Sequence, residues 1–313
     1  MPKYKKALVT GGAGFIGSHI VDELIRRRIR VYVVDDMSSG KKANINPNAR
    51  FYKMSVTNPN FPKLVKRLKP DVIFHLAAHL DVSTSVIKPE KDAKINVLGS
   101  LNVIQGANMA GTKKIIFAST GGAMYSDGDR TPWAEKLHPR PMSPYAVAKR
   151  ATELYLDYAH AQYGIPYVVL RLANVYGPRQ NFSNEGGVVA IFSDMMLKSK
   201  QPKIFGTGRQ TRDFVYVGDV VRAAMMAMTR STSGVFNIGT GRQIDVNTLF
   251  KKIKKITGSD ALQKRFPAKP GEVMVSALSC RLAEKKLGWK PKTRLDDGLK
   301  MTVDWFKKRS GRL

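Results

Sequence analysis

The chain has 313 residues, 43% of them apolar, which suits a globular protein of about two domains with a sizeable core. A single cysteine, Cys280, excludes an internal disulfide, and no apolar run approaches the ~18 residues that cross a bilayer, so no membrane partner is expected. Lys and Arg number 53 against 24 Asp and Glu, a formal charge of +29 that favours loose, salt-sensitive contact with polyanions; no arginine- or aromatic-rich motif points to a specific nucleic acid. The N-terminus lacks a secretion-signal pattern, and a cytoplasmic location is expected.

The first strand is expected over Lys6–Thr10. It runs into Gly11-Gly12-Ala13-Gly14-Phe15-Ile16-Gly17, which opens a helix-patterned segment, Phe15–Arg28. Glycines at this spacing let a strand turn sharply into a helix, and let backbone approach a pyrophosphate at the helix N-terminus. A second strand, Val31–Asp35, ends on an acid, placed where a dinucleotide's ribose hydroxyl would need an acceptor. Further strands are expected at Phe51–Met54, Val72–Leu76, Lys114–Ser119 and Tyr167–Ala173. Helices are expected at Phe61–Leu68, Val97–Met109 and Tyr145–Tyr163. Asn96 can cap the helix that starts at Val97.

This alternation with nearly continuous apolar strands predicts an α/β fold, a Rossmann-type doubly wound parallel sheet. Ligands of such sheets sit at the carboxyl ends of the strands, where Thr10, Asp35, Ala77-Ala78, Ser119-Thr120 and Asn174 fall. After Pro178 the segments shorten and Gly/Pro punctuation increases. We expect residues 1–180 to form a dinucleotide-binding domain, with a returning segment near 212–240 that includes a strand at Phe214–Val217. Residues 181–313 are expected to form a smaller C-terminal α/β substrate domain. The last helix, Asp296–Lys308, carries an apolar stripe of Leu299, Val303 and Phe306.

Tyr145 and Lys149 are four apart and share a helix face. A phenol is a poor base at neutral pH, with a pKa near ~10; a neighbouring ammonium and an oxidised nicotinamide would favour the phenolate. Pro141, Ser143 and Pro144 look like a helix start just before Tyr145. Ser119-Thr120 ends a central strand, where a hydroxyl can reach substrate and phenol.

Together these residues resemble the extended short-chain dehydrogenase/reductase family, the NAD-dependent epimerase/dehydratases, with a pattern most like the UDP-glucose 4-epimerase branch. The resemblance covers the whole chain. It rests on the glycine turn, His75-Leu76-Ala77-Ala78, Ser119-Thr120, Ser143-Pro144-Tyr145-x-x-x-Lys149, Leu170-Arg171-x-x-Asn174-Val175-Tyr176-Gly177-Pro178-Arg179 and Arg212-Asp213-Phe214-Val215-Tyr216-Val217. It implies NAD as cofactor, a UDP-sugar substrate and a homodimer built on Val97–Met109 and Tyr145–Tyr163. It implies Tyr145, Lys149 and Thr120 as catalytic residues, with Ser119 second to Thr120. Gly11, Gly14, Phe15, Ile16, Asp35, Leu76, Ala77, Ala78, Asn96, Tyr145 and Lys149 would hold the cofactor. Thr120, Asn174, Val189, Phe205, Arg212 and Lys269 would hold the substrate. No metal is expected.

Some positions depart from the family pattern. Ser55-Val56 stands where an acid often holds the adenine, Ser126 follows Tyr125 where Gly is usual, and Lys269 stands in place of an Arg. Ser276 is small at a position that is bulky in some relatives, which would leave room for an N-acetyl group at C2. Gly121-Gly122 follow Thr120 where dehydratases carry an acidic pair and decarboxylases tend to carry Glu; glycine supplies no acid or base. Epimerisation is therefore favoured over those chemistries, and over the reading of a basic Rossmann binding protein without catalysis. Oxidised substrates such as UDP-glucuronate stay open.

Overall fold

The computed structural model describes residues 4–125, 130–182, 186–268 and 273–309. Its first half alternates β1 (Lys6–Thr10), α1 (Phe15–Arg26), β2 (Arg30–Asp35), β3 (Arg50–Lys53), α2 (Phe61–Leu68) and β4 (Val72–His75). There follow α3 (Val82–Ile87), α4 (Pro89–Ala93), α5 (Gly99–Ala110), β5 (Lys114–Thr120), α6 (Pro144–Tyr163) and β6 (Tyr167–Leu172). These lie close to the elements expected from the apolar pattern. The exception is the helix expected at Val97. A π-helical turn, Lys94–Leu98, joins α4 to α5, so the helix begins at Pro89 and Asn96 lies inside it rather than capping it. Pro89 in the first turn, after the non-helical Lys88, makes that earlier start.

Seven strands form one parallel sheet, in the order β11-β6-β5-β4-β1-β2-β3, where β11 is Gly234–Ile238. Order reverses between β1 and β4, where Thr10 is in register with His75. Apolar side chains cover both faces, which explains the lack of alternation in the strands.

The second half contains β7 (Asn174–Tyr176), α7 (Val188–Leu197), β8 (Lys203–Phe205), β9 (Thr211–Arg212), β10 (Phe214–Tyr216), α8 (Val217–Thr229), β12 (Ile244–Asp245), α9 (Val246–Thr257), β13 (Lys264–Phe266), α10 (Arg281–Leu287) and α11 (Leu295–Arg309). Its short strands pair only two by two: β10 with β7, β12 with β9, β13 with β8. A separate apolar core lies among α7, α9 and α11. The chain comes back to the large sheet twice. First, α8 packs on α1 and β11 adds the seventh strand. Later, Leu278, Leu287 and Trp289 enter the core beneath it, a second return that the sequence pattern does not announce.

Candidate active site

A cleft of about 630 Å³ opens at the switch between β1 and β4. Gly11, Gly14, Phe15, Ile16, Asp35, Leu76, Ala77, Ala78, Thr120, Tyr145 and Lys149 all line it. Gly11 has φ +69°, and a Cβ there would meet the Ala77 backbone nitrogen at 2.7 Å, so only glycine lets the two loops touch. Gly17 is equally constrained, since its Cβ would fall 2.2 Å from the Gly11 carbonyl oxygen. The first turn of α1 carries no acidic side chain, so nothing in that turn neutralises the positive helix end.

Asp35 is buried and accepts hydrogen bonds from Ala13 N (3.0 Å) and Met37 N (2.9 Å); burial pushes its pKa up. A backbone cradle, a bare helix start and a buried carboxylate fit a dinucleotide with a free ribose hydroxyl. A 2′-phosphate would meet the carboxylate instead. Met54, Ser55 and Val56 line the same end, and the Ser55 hydroxyl is engaged with Thr57 Oγ1 at 2.9 Å.

Tyr145 and Lys149 sit on α6, whose start is set by Ser143: its Oγ accepts from Ala146 N at 3.2 Å, and Pro144 occupies the first turn. Lys149 Nζ donates to the Ala118 carbonyl on β5 at 2.9 Å and lies 5.8 Å from the centre of the Tyr145 ring. Burial lowers the Lys149 pKa to about 8, with Asp92 and Glu153 holding it from falling further. The Tyr145 phenol is pushed up, by burial first and by the Asp92 carboxylate second. The expected lowering by Lys149 is not seen in the chain itself, where burial and the Asp92 carboxylate both act to raise the phenol.

Thr120 faces the cleft, partly exposed. Ser119 does not compete with it for a substrate oxygen. Its hydroxyl donates to Glu153 Oε1 at 2.7 Å, and Glu153 is also gripped by Arg171 at 2.9 and 2.6 Å. Arg171 donates in turn to the Tyr125 hydroxyl at 2.8 Å. This buried network fixes β5, α6 and β6 beneath the site.

Asn96 stands behind the cleft wall rather than on it. Its Oδ1 accepts from His79 N at 2.9 Å, and its Nδ2 donates to His79 O at 3.0 Å and to Asp92 Oδ1 at 2.8 Å. Its carbonyl accepts from Ser100 Oγ and from Thr152 Oγ1 of α6. His75 joins this web: Nδ1 lies 2.7 Å from Thr10 Oγ1 and Nε2 lies 2.9 Å from Ser100 Oγ. Burial drives its pKa down to about 3, so the ring is neutral.

The residues named for the substrate gather less tightly. Asn174 is exposed, and with Ser276 it flanks Gly122: a Cβ on Gly122 would lie 3.7 Å from Ser276 Oγ and 3.8 Å from Asn174 Oδ1. Arg212, partly buried, donates to the Thr211 carbonyl at 2.8 Å. Phe205 stacks at a tilt on Phe266, with ring centres 6.0 Å apart. Val189 is buried in the core of α7, α9 and α11, facing neighbours and not the cleft, because α7 is apolar around most of its circumference. None of these four lines the large cleft. Lys269 and Ser126 lie outside the described residues.

His79, Asp92 and Glu153 escaped the sequence reading, and Arg171 entered it only as part of the family motif. Two had a usable signal: Asp92 is four before Asn96, and Glu153 four after Lys149, each pair on one helix face.

Comparison with known proteins gives the family of the chain. The family model described as "NAD dependent epimerase/dehydratase family" matches residues 7–239. The chain is 38% identical to the UDP-glucose 4-epimerase of Mycolicibacterium smegmatis, over 97% of this chain and 99% of that one. The crystal structure of a UDP-glucose 4-epimerase from Thermotoga maritima with UDP-glucose superposes with a TM-score of 0.96 at 48% identity, covering 97% of this chain and 99% of that one. A UDP-N-acetylglucosamine 4-epimerase from Methanobrevibacter ruminantium, in complex with UDP-N-acetylmuramic acid, gives 0.93 at 35% identity, covering 98% and 100%.

Proposed function

The chain belongs to the NAD-dependent epimerase/dehydratase family, and we propose that it interconverts a UDP-sugar and its C4 epimer through a transient 4-keto sugar. One observation supports this most: Tyr145 and Lys149 share a cleft with the glycine turn, while Gly121-Gly122, not acids, follow Thr120.

Gly11, Gly14, Phe15, Ile16, Asp35 and the Leu76–Ala78 loop hold the NAD. When bound, NAD would supply a reversible hydride acceptor and a positively charged ring. The Tyr145 oxygen takes the proton of the sugar 4-hydroxyl and gives it back after the sugar has turned. Thr120 Oγ1 hydrogen-bonds the reacting oxygen. Lys149, anchored on Ala118, keeps an ammonium close to the phenol at neutral pH and loses it as pH rises through about 8. Asn174 and Arg212 hold the diphosphate, and Phe205 shapes the uridine end.

Product analysis by NMR after separate incubation with UDP-glucose, UDP-N-acetylglucosamine and UDP-glucuronate tests the activity and the substrate together. The expected result is the C4 epimer of at least one, with no decarboxylated or dehydrated product; a pentose or a 4-keto-6-deoxy product would replace this reading.

We also read the chain as a cytosolic homodimer. No described helix is long and apolar enough to cross a membrane. On α6, Leu156 and Ala159 are buried in the chain, whereas Val147, Leu154, Tyr155 and Tyr158 stay exposed as an outward apolar stripe. Leu154→Glu should shift the light-scattering mass from two chains to one.

A further inference from the structure

Asp92 is fully buried, yet only half of its carboxylate is used. Oδ1 accepts from Asn96 Nδ2 at 2.8 Å and lies 3.4 Å from His79 Nδ1; Oδ2 is buried without a hydrogen-bond partner. An unpaired carboxylate oxygen is costly to bury, so its retention asks for a use. Its surroundings indicate one. Asp92 and Asn96 hold His79 by its N, O and Nδ1, and His79 is part of the cleft wall. The Asn96 carbonyl, inside the π turn, accepts from Thr152 Oγ1, three residues beyond Lys149 on the same helix. α4 packs directly on α6. A negative charge is thereby fixed behind both Tyr145 and Lys149.

We propose that Asp92 is a positioning residue of the reaction: it clamps the His79 loop and, through its fixed charge behind α6, sets the pH range in which the Tyr145–Lys149 pair works. The proposal deepens the epimerase reading. The other titratable groups around it are His79 and Asp81 in the loop after β4, His75 at the end of β4, and Tyr145, Lys149 and Glu153 on α6. His75 is neutral over the working range, and Glu153 is tied to Arg171.

The charge of Asp92 acts in the same direction on Tyr145 and Lys149, favouring the protonated form of each. Removing it while keeping the shape moves both limbs of a pH profile to lower pH. A purely structural role would lower the rate at every pH and leave the limbs in place. Asp92→Asn, in the NAD-loaded protein, should shift both limbs of the kcat profile down by about one pH unit. The phenolate band of Tyr145 gives a readout independent of turnover. It is obtained as the near-ultraviolet difference between each protein and its Tyr145→Phe counterpart, and its midpoint should fall by a similar amount. Asp92→Ser, which also removes the charge, serves if the Asn variant does not fold. His79→Gln keeps a hydrogen-bonding side chain without a titrating ring, and should leave both midpoints where they are. An unmoved phenolate midpoint in the charge-free variants overturns the proposal, as does a shift reproduced by His79→Gln. A shifted midpoint in a protein that epimerises no UDP-sugar would leave the role of Asp92 standing and remove the proposed function.

Discussion

The two sides of the molecule place their site residues by different means. On the cofactor side, Thr10, Asp35, His75 and Thr120 stand at the ends of long strands, each held by register in a sheet of seven. On the other side, Phe205, Arg212 and Asn174 sit on ladders of two or three residues, each with one neighbour strand. A residue on a central parallel strand inherits its position from the whole sheet. A residue on a two-residue ladder inherits it from the loops around it. That is why the first set gathers at one edge of the sheet, where Asp35 and Thr120 line the cleft, while the second is spread over three ladders, with Val189 in a separate apolar core.

The largest expected effect lies on the ordered side. Tyr145→Phe should reduce kcat by about 1000-fold, or about 4 kcal/mol of barrier, with circular dichroism and melting temperature unchanged. Residual activity near the wild-type level would mean that another group moves the proton, and the contrast between the two sides would lose its chemical meaning.

A pair of stability measurements sharpens the same contrast. Glu153 and Arg171 form an ion pair whose side chains are 1% and 3% exposed. Glu153→Ala strands the Arg171 guanidinium in the core and should cost about 3 kcal/mol in urea unfolding. On the other side, Lys252 and Asp296 pair at 2.7 Å with side chains 34% and 61% exposed. Lys252→Ala should cost under about 1 kcal/mol. Equal costs would show that the network under β5 and β6 holds the site no more firmly than a surface contact.

His75 gives a pH dependence of intermediate size. Its ring is neutral when folded, with a pKa near 3, and titrates near 6.5 when unfolded. The unfolded chain therefore binds the extra proton first, and stability falls as pH drops from 6.5 towards 3. At pH 5 the loss is about 2 kcal/mol. His75→Gln, which can still bridge Thr10 and Ser100, should melt with a smaller drop between pH 7 and pH 5 than the parent chain.

Much of the first region was legible because its strands are apolar runs separated by amphipathic helices. The glycine turn, Asp35, Tyr145 and Lys149 were found from local pattern alone. The π turn was not legible: nothing in Lys94–Leu98 marks an extra residue, and Asn96 reads equally well as a cap. Ser119 looked like a free hydroxyl because its partner, Glu153, is distant in the chain. In the second region, α7 is too uniformly apolar for its period to show. The pattern in α9 is stronger, with Leu249, Phe250 and Ile253 buried and lysines between them, yet it falls among Gly- and Pro-marked loops that suggest irregular chain.

The smallest predicted effect on turnover addresses the weaker side directly. Ser276 is buried, and its Oγ points towards Gly122, just past Thr120 and beside Asn174. If this is where the C2 substituent of the sugar lies, the small side chain is what admits an N-acetyl group. Ser276→Tyr should then lower kcat/KM for UDP-N-acetylglucosamine about tenfold relative to UDP-glucose, a difference of about 1.4 kcal/mol. The measure is the ratio of the two substrates within each protein, which removes any general loss from overpacking. A ratio that stays constant would put the C2 pocket elsewhere, and would mean that a residue on a short segment can abut the catalytic strand without reading the sugar.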